Sequence, residues 1–291
     1  MNNPINKVRP KLPPWIRVKA SGGDGRAKVE SLISQYNLHT VCQSAKCPNL
    51  CECWHKQTAT FMILGNECTR NCTFCAVSHS RKPSAPDKDE PAKIAEAAKK
   101  MKLKYVVVTS VTRDDLPDGG ASLFAETIRA LKEKIPSVKV EVLTPDFGGD
   151  IGCIKRVVDA GPDVFNHNLE TVERLAGEIR SGADFRRSLK VLKAAFELGQ
   201  SKLSVKSGIM VGLGETDQEI EETIREIRRT GAEMLTIGQY LPPSSSHRPL
   251  DRYVTPETFE KWRDFAQGLG FRSVASGPLV RSSYNAENFY L

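Results

Sequence analysis

Seven of the eight cysteines lie between residues 42 and 75, in two groups separated by an apolar run at 59–64. The second group has the spacing Cys68-x3-Cys72-x2-Cys75. Three thiolates this close together can hold three irons of a cubic iron–sulfur cluster and leave the fourth iron without a protein ligand. An iron with an open position can bind a substrate or cofactor, so this spacing predicts a catalytic cluster.

The first group contains four thiols. The spacing Cys42-x4-Cys47-x5-Cys53 again offers three well-separated ligands, and a second cluster is the natural interpretation. Cys51 lies inside the group, so spacing alone leaves open which three of the four thiols bind. Cys153 is far from both groups and is predicted to be a small buried apolar residue.

Zinc and disulfides are the alternative uses of these thiols. A zinc site takes four tetrahedral ligands, often from closely spaced pairs, and Cys68 with Cys72 could supply one pair. A disulfide framework is typical of secreted proteins, and residues 1–15 contain no apolar signal core. The sequence therefore favours metal or redox chemistry in a cytoplasmic protein.

Length and charge set further bounds. The chain has 291 residues, 40% of them hydrophobic, which suits a single α/β barrel. No run approaches the roughly 20 apolar residues that span a bilayer, so no membrane contact is expected. The net charge of +7 fits a lysine-rich solvated surface, docking of an acidic protein, or phosphate contacts. No nucleic-acid motif accompanies the charge, so nucleic acid is not an expected partner.

Apolar strand-like runs alternate with amphipathic segments of helical length from residue 59 onward. Strands are predicted at 59–64, 105–109, 139–143, 163–168, 202–210, 234–239 and 273–275. Helices are predicted at 26–36, 91–101, 121–135, 151–160, 186–198, 217–230 and 255–269. This order predicts an α/β fold with a parallel sheet and crossover helices. The first cysteine group, with Pro48 and Asn49 inside it, is predicted to be an irregular loop.

The second cysteine group resembles that of the radical S-adenosylmethionine superfamily. Its spacing follows the first predicted strand, and Phe74 before the last cysteine matches the superfamily's pattern. The resemblance implies a 4Fe–4S cluster that binds S-adenosylmethionine and cleaves it to a 5′-deoxyadenosyl radical. It also implies a partial (β/α)6 TIM-like barrel, open on one side, with functional residues at the C-terminal ends of the strands.

Both groups, in this order, closely resemble those of the lipoyl synthase family, and the resemblance extends from about Cys42 to Tyr284. The family's spacing selects Cys42, Cys47 and Cys53 as ligands of an auxiliary 4Fe–4S cluster. Cys51 departs from the family pattern, which usually has a small non-cysteine residue there.

The motif Arg281-Ser282-Ser283-Tyr284 near the C-terminus also belongs to this resemblance. In the family a serine oxygen of this motif is the fourth ligand of the auxiliary cluster, and Ser283 is favoured over Ser282 for that role. Without the resemblance, Ser283 would be interpreted as a helix cap or a tail serine. The implied division of the chain is an N-terminal arm and auxiliary-cluster loop at 1–58, a barrel at 59–276, and a tail at 277–291 that contributes to the auxiliary cluster.

Cofactor contacts are implied for residues at the ends of three predicted strands and in the loops that follow them. Each has a structural alternative: the turn 117–120 starts a helix by itself, Arg180 could be a solvated loop charge, and the apolar pair on the fifth strand could be barrel packing. His167 is predicted to be a structural histidine. The implied cofactor-binding residues are Thr109, Gly119, Gly120, Asn168, Glu170, Arg180, Met210 and Val211.

The resemblance implies the insertion of two sulfur atoms, at carbons 6 and 8 of an octanoyl chain on a carrier lysine. The auxiliary cluster would donate the sulfur, and Cys68, Cys72, Cys75 and Ser283 would be the catalytic residues. The implied partners are an octanoylated lipoyl carrier domain or glycine-cleavage carrier protein, and an electron donor such as ferredoxin or flavodoxin. The alternatives are a biotin-synthase-like enzyme, a non-catalytic iron–sulfur or zinc protein, and a nucleic-acid-modifying radical enzyme.

Overall fold

The computed structural model describes residues 11–17 and 24–290. Most of the N-terminal arm expected before residue 27 therefore lies outside the described residues. In chain order the strands are β1 His39–Thr40, β2 Thr60–Ile63, β3 Glu67–Cys68, β4 Ser78–His79, β5 Tyr105–Ser110, β6 Lys139–Leu143, β7 Val164–Asn166, β8 Ser204–Val211, β9 Met234–Gln239 and β10 Ser273–Gly277.

The helices alternate with these strands over most of the chain. They are α1 Asp24–Gln35, α2 Val41–Ser44, α3 Leu50–His55, α4 Glu90–Lys100, α5 Ala121–Lys134, α6 Ile151–Asp159, α7 Glu173–Ile179, α8 Phe185–Gly199, α9 Asp217–Arg229, α10 Pro256–Gly268 and α11 Ala286–Tyr290, with 3-10 turns at Phe147–Gly149 and Gln200–Lys202. No helix in the described ranges is long and apolar enough to cross a membrane.

One sheet organises the structure, with the strand order β1-β2-β5-β6-β7-β8-β9-β10. All pairs from β2 to β10 are parallel, and β1 adds to β2 in the antiparallel direction. Within the described residues β1 and β10 have no pairing with each other, so the ladder stays open there. The predicted α/β architecture is confirmed, and all seven predicted strands pair in this sheet, one more than the six of the barrel that the resemblance implied.

The sequence forms these elements because apolar residues follow the two expected periods. Every residue of β2 and of β9 is buried, as expected for parallel strands covered on both faces. In α9 the buried Ile220, Ile224 and Ile227 recur at helical spacing, and Thr216 with Glu219 forms a capping box at its start. The C-terminal ends of the parallel strands consequently lie at one edge of the sheet.

The prediction of an irregular first cysteine loop was wrong. Cys42 lies in α2 and Cys53 in α3, because the Thr40 side chain caps α2 and the fully buried Trp54 anchors α3 against the core. Helix α7 and the short β3–β4 pair were also missed, since a seven-residue helix and two-residue strands carry too little periodicity to detect.

Candidate active site

A cavity of about 360 Å³ lies at the C-terminal ends of the parallel strands. Residues that follow β5, β6 and β7 line one side, and the N-terminal helices and the C-terminal tail line the other. Cysteines from both groups share this wall: Cys42, Cys47, Cys68, Cys72 and Cys75. All eight cysteines of the chain are free thiols, so none is consumed by a disulfide.

The second cysteine group forms the loop that follows β2. Cys68 ends β3, its Sγ accepts a hydrogen bond from the Arg70 N–H at 3.4 Å, and the Cys75 N–H donates to the Cys72 carbonyl at 3.1 Å. Burial raises the pKa of Cys75 to about 12, and the neighbouring thiolates of Cys72 and Cys68 add to that rise. The three thiols are therefore close enough to interact, and a bound cation would relieve the cost of ionising them.

Arg70 holds this loop against two strand ends. Its guanidinium forms paired hydrogen bonds with Asp114 after β5, at 2.7 and 2.8 Å, and with Asp146 after β6, at 2.8 and 3.0 Å. Asp146 is 1% exposed and also accepts a bond from Arg187 of α8 at 2.9 Å. The loop between Cys68 and Cys72 is thus fixed to three other elements.

Leu64 begins the same loop in a left-handed conformation, with φ +69°. Its N–H donates to the Glu90 carboxylate at 2.8 Å, and its carbonyl accepts from the Arg113 guanidinium at 3.2 Å. Glu90 and Arg113 are both buried, and burial raises the pKa of Glu90 to about 7. These two side chains compensate a backbone conformation that a leucine rarely adopts.

The first group places three thiols together and turns the fourth away. Burial raises the pKa of Cys53 to about 12, with further contributions from the nearby Cys42 and Cys47 thiolates. Cys51 Sγ instead accepts a bond from Arg26 of α1 at 3.6 Å. The arrangement matches the expected selection of Cys42, Cys47 and Cys53, and their role as ligands stays a prediction.

The thiols suit a cluster better than a single ion. Across the described residues, no three His, Cys, Asp or Glu side chains stand close enough to hold one metal ion. In a cubic cluster each cysteine binds a different iron, so its thiols stand farther apart than the four ligands of a tetrahedral zinc. Two sets of three interacting thiols, five of which line one cavity, therefore fit two iron–sulfur clusters.

The C-terminal tail reaches the same cavity. Val280, Arg281, Ser282 and Ser283 all line it, next to the first cysteine group. The Ser282 hydroxyl bonds to the Asn168 side chain at 2.7 and 3.0 Å. The Ser283 side chain has no hydrogen-bond partner within the described part of the chain. Ser283 is thus the serine whose hydroxyl remains available.

Five of the predicted cofactor-binding residues line the cavity: Thr109, Asn168, Glu170, Arg180 and Met210. Two backbone hydrogen bonds hold Glu170 beside β8. The Glu170 N–H donates to the Gly208 carbonyl at 3.0 Å, and the Met210 N–H donates to the Glu170 carbonyl at 2.8 Å. The buried Arg180 donates to the Leu169 carbonyl and to Ser188, each at 3.0 Å. It is a buried charge at the cavity and not a solvated loop residue, although its contact with the cofactor stays a prediction.

Gly119, Gly120 and Val211 do not line the cavity. Gly120, at φ +89°, starts α5 and packs against Leu64, whose Cδ1 would lie 2.2 Å from an added Cβ. Val211 is fully buried because its side chain points to the face of β8 opposite Met210. Their contact with the cofactor stays a prediction; Gly120 packs against Leu64 at the start of the second cysteine loop, and Gly119 lies next to Phe147.

His167 is a cavity residue that the sequence left as structural. It is 2% exposed and lines the cavity. Its Nδ1 lies 2.9 Å from the Thr144 carbonyl, which only accepts, so Nδ1 carries the proton. Burial lowers the pKa of His167 to about 4, and Nε2 is left as a buried acceptor without a partner in the described structure. No sequence signal distinguishes it, because the unpaired atom is visible only in three dimensions.

Comparison with known proteins agrees with this geometry. Residues 62–227 match the model of the radical SAM superfamily. The lipoyl synthase of Chlorobaculum parvum is 52% identical over 285 residues, covering 98% of this chain and 97% of the relative. The lipoyl synthase of Caldanaerobacter subterraneus is 54% identical over 275 residues, covering 94% and 95%. The chain belongs to the lipoyl synthase family.

Solved structures give the same fold at much lower identity. Methylornithine synthase superposes with a TM-score of 0.56 at 15% identity, covering 89% of this chain and 84% of that one. The FeFe-hydrogenase maturase HydG from Carboxydothermus hydrogenoformans superposes with a TM-score of 0.60 at 15% identity, covering 79% and 55%. These likenesses concern the fold alone.

Membership of the lipoyl synthase family decides between the interpretations left open by the sequence. The chain is a radical SAM enzyme, and the family implies a 4Fe–4S cluster and S-adenosylmethionine. The biotin-synthase-like, non-catalytic and nucleic-acid-modifying alternatives lose their basis. This chain's own residues determine how many clusters it binds, which ligand each iron has and which carrier protein it takes.

Proposed function

We propose that this chain inserts two sulfur atoms, at carbons 6 and 8 of an octanoyl chain attached to a carrier lysine, using two 4Fe–4S clusters. When bound, the cluster on the second cysteine group supplies the electron that cleaves S-adenosylmethionine to a 5′-deoxyadenosyl radical, and the cluster on the first group supplies sulfur. Aliphatic C–H bonds have no useful acidity, so this chemistry belongs to the cofactors.

One observation supports the proposal above all others. Thiols of both cysteine groups and the hydroxyl-bearing Ser283 line a single cavity of about 360 Å³. A radical formed at one cysteine group would therefore meet a carbon chain that also lies beside the other group. Two sites on separate faces of the molecule would not allow this transfer.

The grouping of the thiols supports the ligand sets that the family spacing implies. Cys68, Cys72 and Cys75 would hold the catalytic cluster, and Arg70 fixes their loop to the strand ends. An auxiliary cluster would be held by Cys42, Cys47 and Cys53, with the Ser283 oxygen as fourth ligand. Oxygen is a harder ligand than thiolate and is more easily displaced from iron, which suits a cluster that loses sulfur.

The cofactor would lie across the strand ends. Glu170 and Asn168 would accept and donate hydrogen bonds to its ribose or amino group, and Arg180 would pair with its carboxylate, which matches the guanidinium fork. His167 Nε2 would accept a bond from a cofactor N–H or O–H, since it is otherwise a buried acceptor without a partner in the described structure. Met210 would contribute apolar backing.

The partners belong to the same proposal. The substrate would be the octanoylated lipoyl carrier domain or the glycine-cleavage carrier protein, and the electrons would come from a donor such as ferredoxin or flavodoxin. The net charge of +7 favours association with an acidic partner. The cytoplasmic location expected from the sequence stays a prediction.

An anaerobic experiment tests the proposal. Iron and sulfide are counted in reconstituted protein, and an octanoyl-lysine peptide is followed by mass spectrometry with S-adenosylmethionine and reductant. We expect about eight irons per chain, the content of two cubic clusters, and a product carrying both sulfur atoms. About four irons, with cofactor cleavage but no sulfur in the peptide, would leave a radical enzyme of another specificity.

Cys51 and Cys53 form a matched pair of variants. We expect Cys53→Ala to lose the auxiliary cluster and sulfur insertion while cofactor cleavage continues. Cys51→Ala should keep both clusters, because its thiol faces Arg26 and not the other thiols. If instead Cys51→Ala loses iron and Cys53→Ala does not, the assignment of the three ligands is wrong.

A further inference from the structure

The tail segment 279–284 is held at several points along its length. The buried Asn49 of the first cysteine group donates to the Leu279 carbonyl at 2.7 Å. Tyr284 donates to the Glu52 carboxylate of α3, at 3.2 and 3.3 Å to its two oxygens. Between them, the barrel contacts Ser282. The segment that carries Ser283 is therefore fastened both to the cysteine helices and to the strands.

The barrel contacts the tail through a buried ion pair that does not line the cavity. Lys206 of β8 is 1% exposed and Glu141 of β6 is fully buried. Lys206 Nζ lies 2.8 and 3.2 Å from the two carboxylate oxygens of Glu141. It also donates to the Ser282 carbonyl at 2.5 Å. A buried ion pair is costly to desolvate and is poor support for stability by itself, so its third contact needs explaining.

The carboxylate is held just as firmly from the other side. The Tyr105 hydroxyl of β5 donates to Glu141 at 2.7 Å, and the Asn166 amide of β7 donates at 3.0 Å. Side chains from β5, β7 and β8 thus contact one carboxylate of β6, and Lys206 in turn contacts the tail. The Ser282 carbonyl is therefore fixed to the barrel interior as well as by the turns of the tail itself.

Two glycines leave the space that the tail occupies. A Cβ on Gly238 of β9 would stand 2.2 Å from the Val280 carbonyl oxygen. A Cβ on Gly208 of β8 would stand 2.4 Å from Thr236 Oγ1 of β9, 2.8 Å from Asn168 Oδ1 and 3.1 Å from Ser282 Oγ. Contacts under 3 Å with backbone cannot be accommodated without movement. The tail therefore lies directly on β9 at Gly238, where any larger residue would meet the tail's backbone.

We propose that Lys206, held by Glu141, is a positioning residue for the auxiliary cluster: together with Gly208 and Gly238 it forms a tail seat that fixes where Ser283 stands relative to the first cysteine group. This inference rests on the proposed function for the role of Ser283 as a ligand. The seat itself rests only on the contacts of the folded chain.

Hydrogen exchange of the cluster-free full-length chain tests the seat. Gly238→Ala pushes the tail off β9 and leaves the Lys206–Glu141 pair in place, and Lys206→Met with Glu141→Gln removes the contact without leaving a lone buried charge. We expect the Val280 and Tyr284 amides, which are bonded at 3.1 and 3.0 Å, to exchange at least about tenfold faster in both. Barrel amides should keep their protection, a result that general destabilisation would not give.

Gly277→Ala is the matched control, because its added Cβ would lie 3.5 Å from Val280 Cγ2, an ordinary contact. Its tail protection should equal that of the wild type. Unchanged tail protection in both test variants would overturn the seat. Should the double variant fail to fold, Gly238→Ala decides alone.

A separate experiment tests the positioning role. It uses a chain in which Cys68, Cys72 and Cys75 are replaced by alanine, so that only the first group can hold iron. We expect Gly238→Ala, in that background, to lose the Mössbauer signature of an oxygen-ligated iron while Gly277→Ala keeps it. A loosened tail with that signature intact would overturn the positioning role. If the triple-alanine chain with neither glycine substitution shows no such cluster, the proposed function is wrong. The hydrogen-exchange data then still test whether the tail seat exists.

Discussion

Ser282 and Ser283 are adjacent, yet among the described residues only the Ser282 hydroxyl has a hydrogen-bond partner. Ser282 exchanges hydrogen bonds with Asn168, whereas the Ser283 side chain has none among the described residues. We expect Ser283→Ala to keep cofactor cleavage but to reduce sulfur insertion about 100-fold or more, the scale on which metal-site changes act. Quantifying 5′-deoxyadenosine and lipoyl peptide in one reaction separates the two. Equal lipoyl yield in variant and wild type would remove Ser283 from the ligand set.

His167 offers a second atom at the cavity without a partner: its Nε2 is a buried acceptor that has no hydrogen bond in the described structure. His167→Asn can keep a donor to the Thr144 carbonyl, which lies 2.9 Å from Nδ1, but has no atom at the Nε2 position. We expect S-adenosylmethionine to bind about five- to tenfold more weakly, as for one lost hydrogen bond of about 1 kcal/mol. Equilibrium dialysis of reconstituted protein measures this. An unchanged Kd would mean that Nε2 takes no bond from the cofactor.

At the scale of elements, the second cysteine loop depends on a carboxylate at the end of another strand. Burial opposes ionisation of Asp146, but the hydrogen bonds and charge of Arg70 outweigh it and hold the pKa of Asp146 well below its usual range. A depressed folded pKa stabilises the protein above the unfolded value of about 3.9, and this stabilisation is lost as the pH falls further.

Asp146→Asn should therefore lower the free energy of unfolding at pH 7 by about 2–4 kcal/mol, because it leaves Arg70 and Arg187 partly unpaired. The difference from wild type should shrink below about pH 4, where this carboxylate begins to protonate in the unfolded chain while it stays ionised in the folded protein. Urea unfolding of cluster-free protein at both pH values measures this. A difference that is the same at pH 7 and pH 3 would show that Asp146 acts by shape and not by charge.

Which elements were predictable depends on how many residues carry each signal. All seven parallel strands and the helices of ten or more residues have a clear period and were found near their positions. The cysteine helices α2 and α3 have four and six residues, too few for a period to emerge. A local turn signal correctly predicted the bend at Gly119 and Gly120, but turn chemistry does not say whether a bend faces the cavity.

The site itself divides in the same way. Thiol spacing and strand ends predicted Cys68, Asn168 and Glu170 at the cavity, since the ends of parallel strands must meet at one edge. Lys206 and Glu141 could not be predicted, because they are 65 residues apart and each looks like a surface charge in its own strand. Only the fold shows that they face inward.

At the scale of the whole molecule, three distant parts of the chain meet at one cavity: the cysteine helices, the second cysteine loop and the tail. The helices and tail are joined directly, by Asn49 to Leu279 and by Tyr284 to Glu52. The N-terminal helices share the barrel's buried core through Val29, Leu32 and Trp54, whereas that core and the side chains packed against it end at Val274. The boundaries 1–58, 59–276 and 277–291 stay a prediction, and stability should differ across them.

We therefore expect cluster loading to protect the two ends of the chain more than the barrel. An auxiliary cluster bound by Cys42, Cys47, Cys53 and Ser283 would close a link between the N-terminal helices and the tail, and binding to the folded form alone stabilises it. Limited proteolysis with mass mapping should show the tail after 277 cut first in cluster-free protein and protected on loading. Cys53→Ala should gain no such protection, whereas Cys51→Ala should gain as much as wild type. Cutting that is equally fast with and without the cluster would mean that the tail's hydrogen bonds hold it alone and that no ligand joins it to iron.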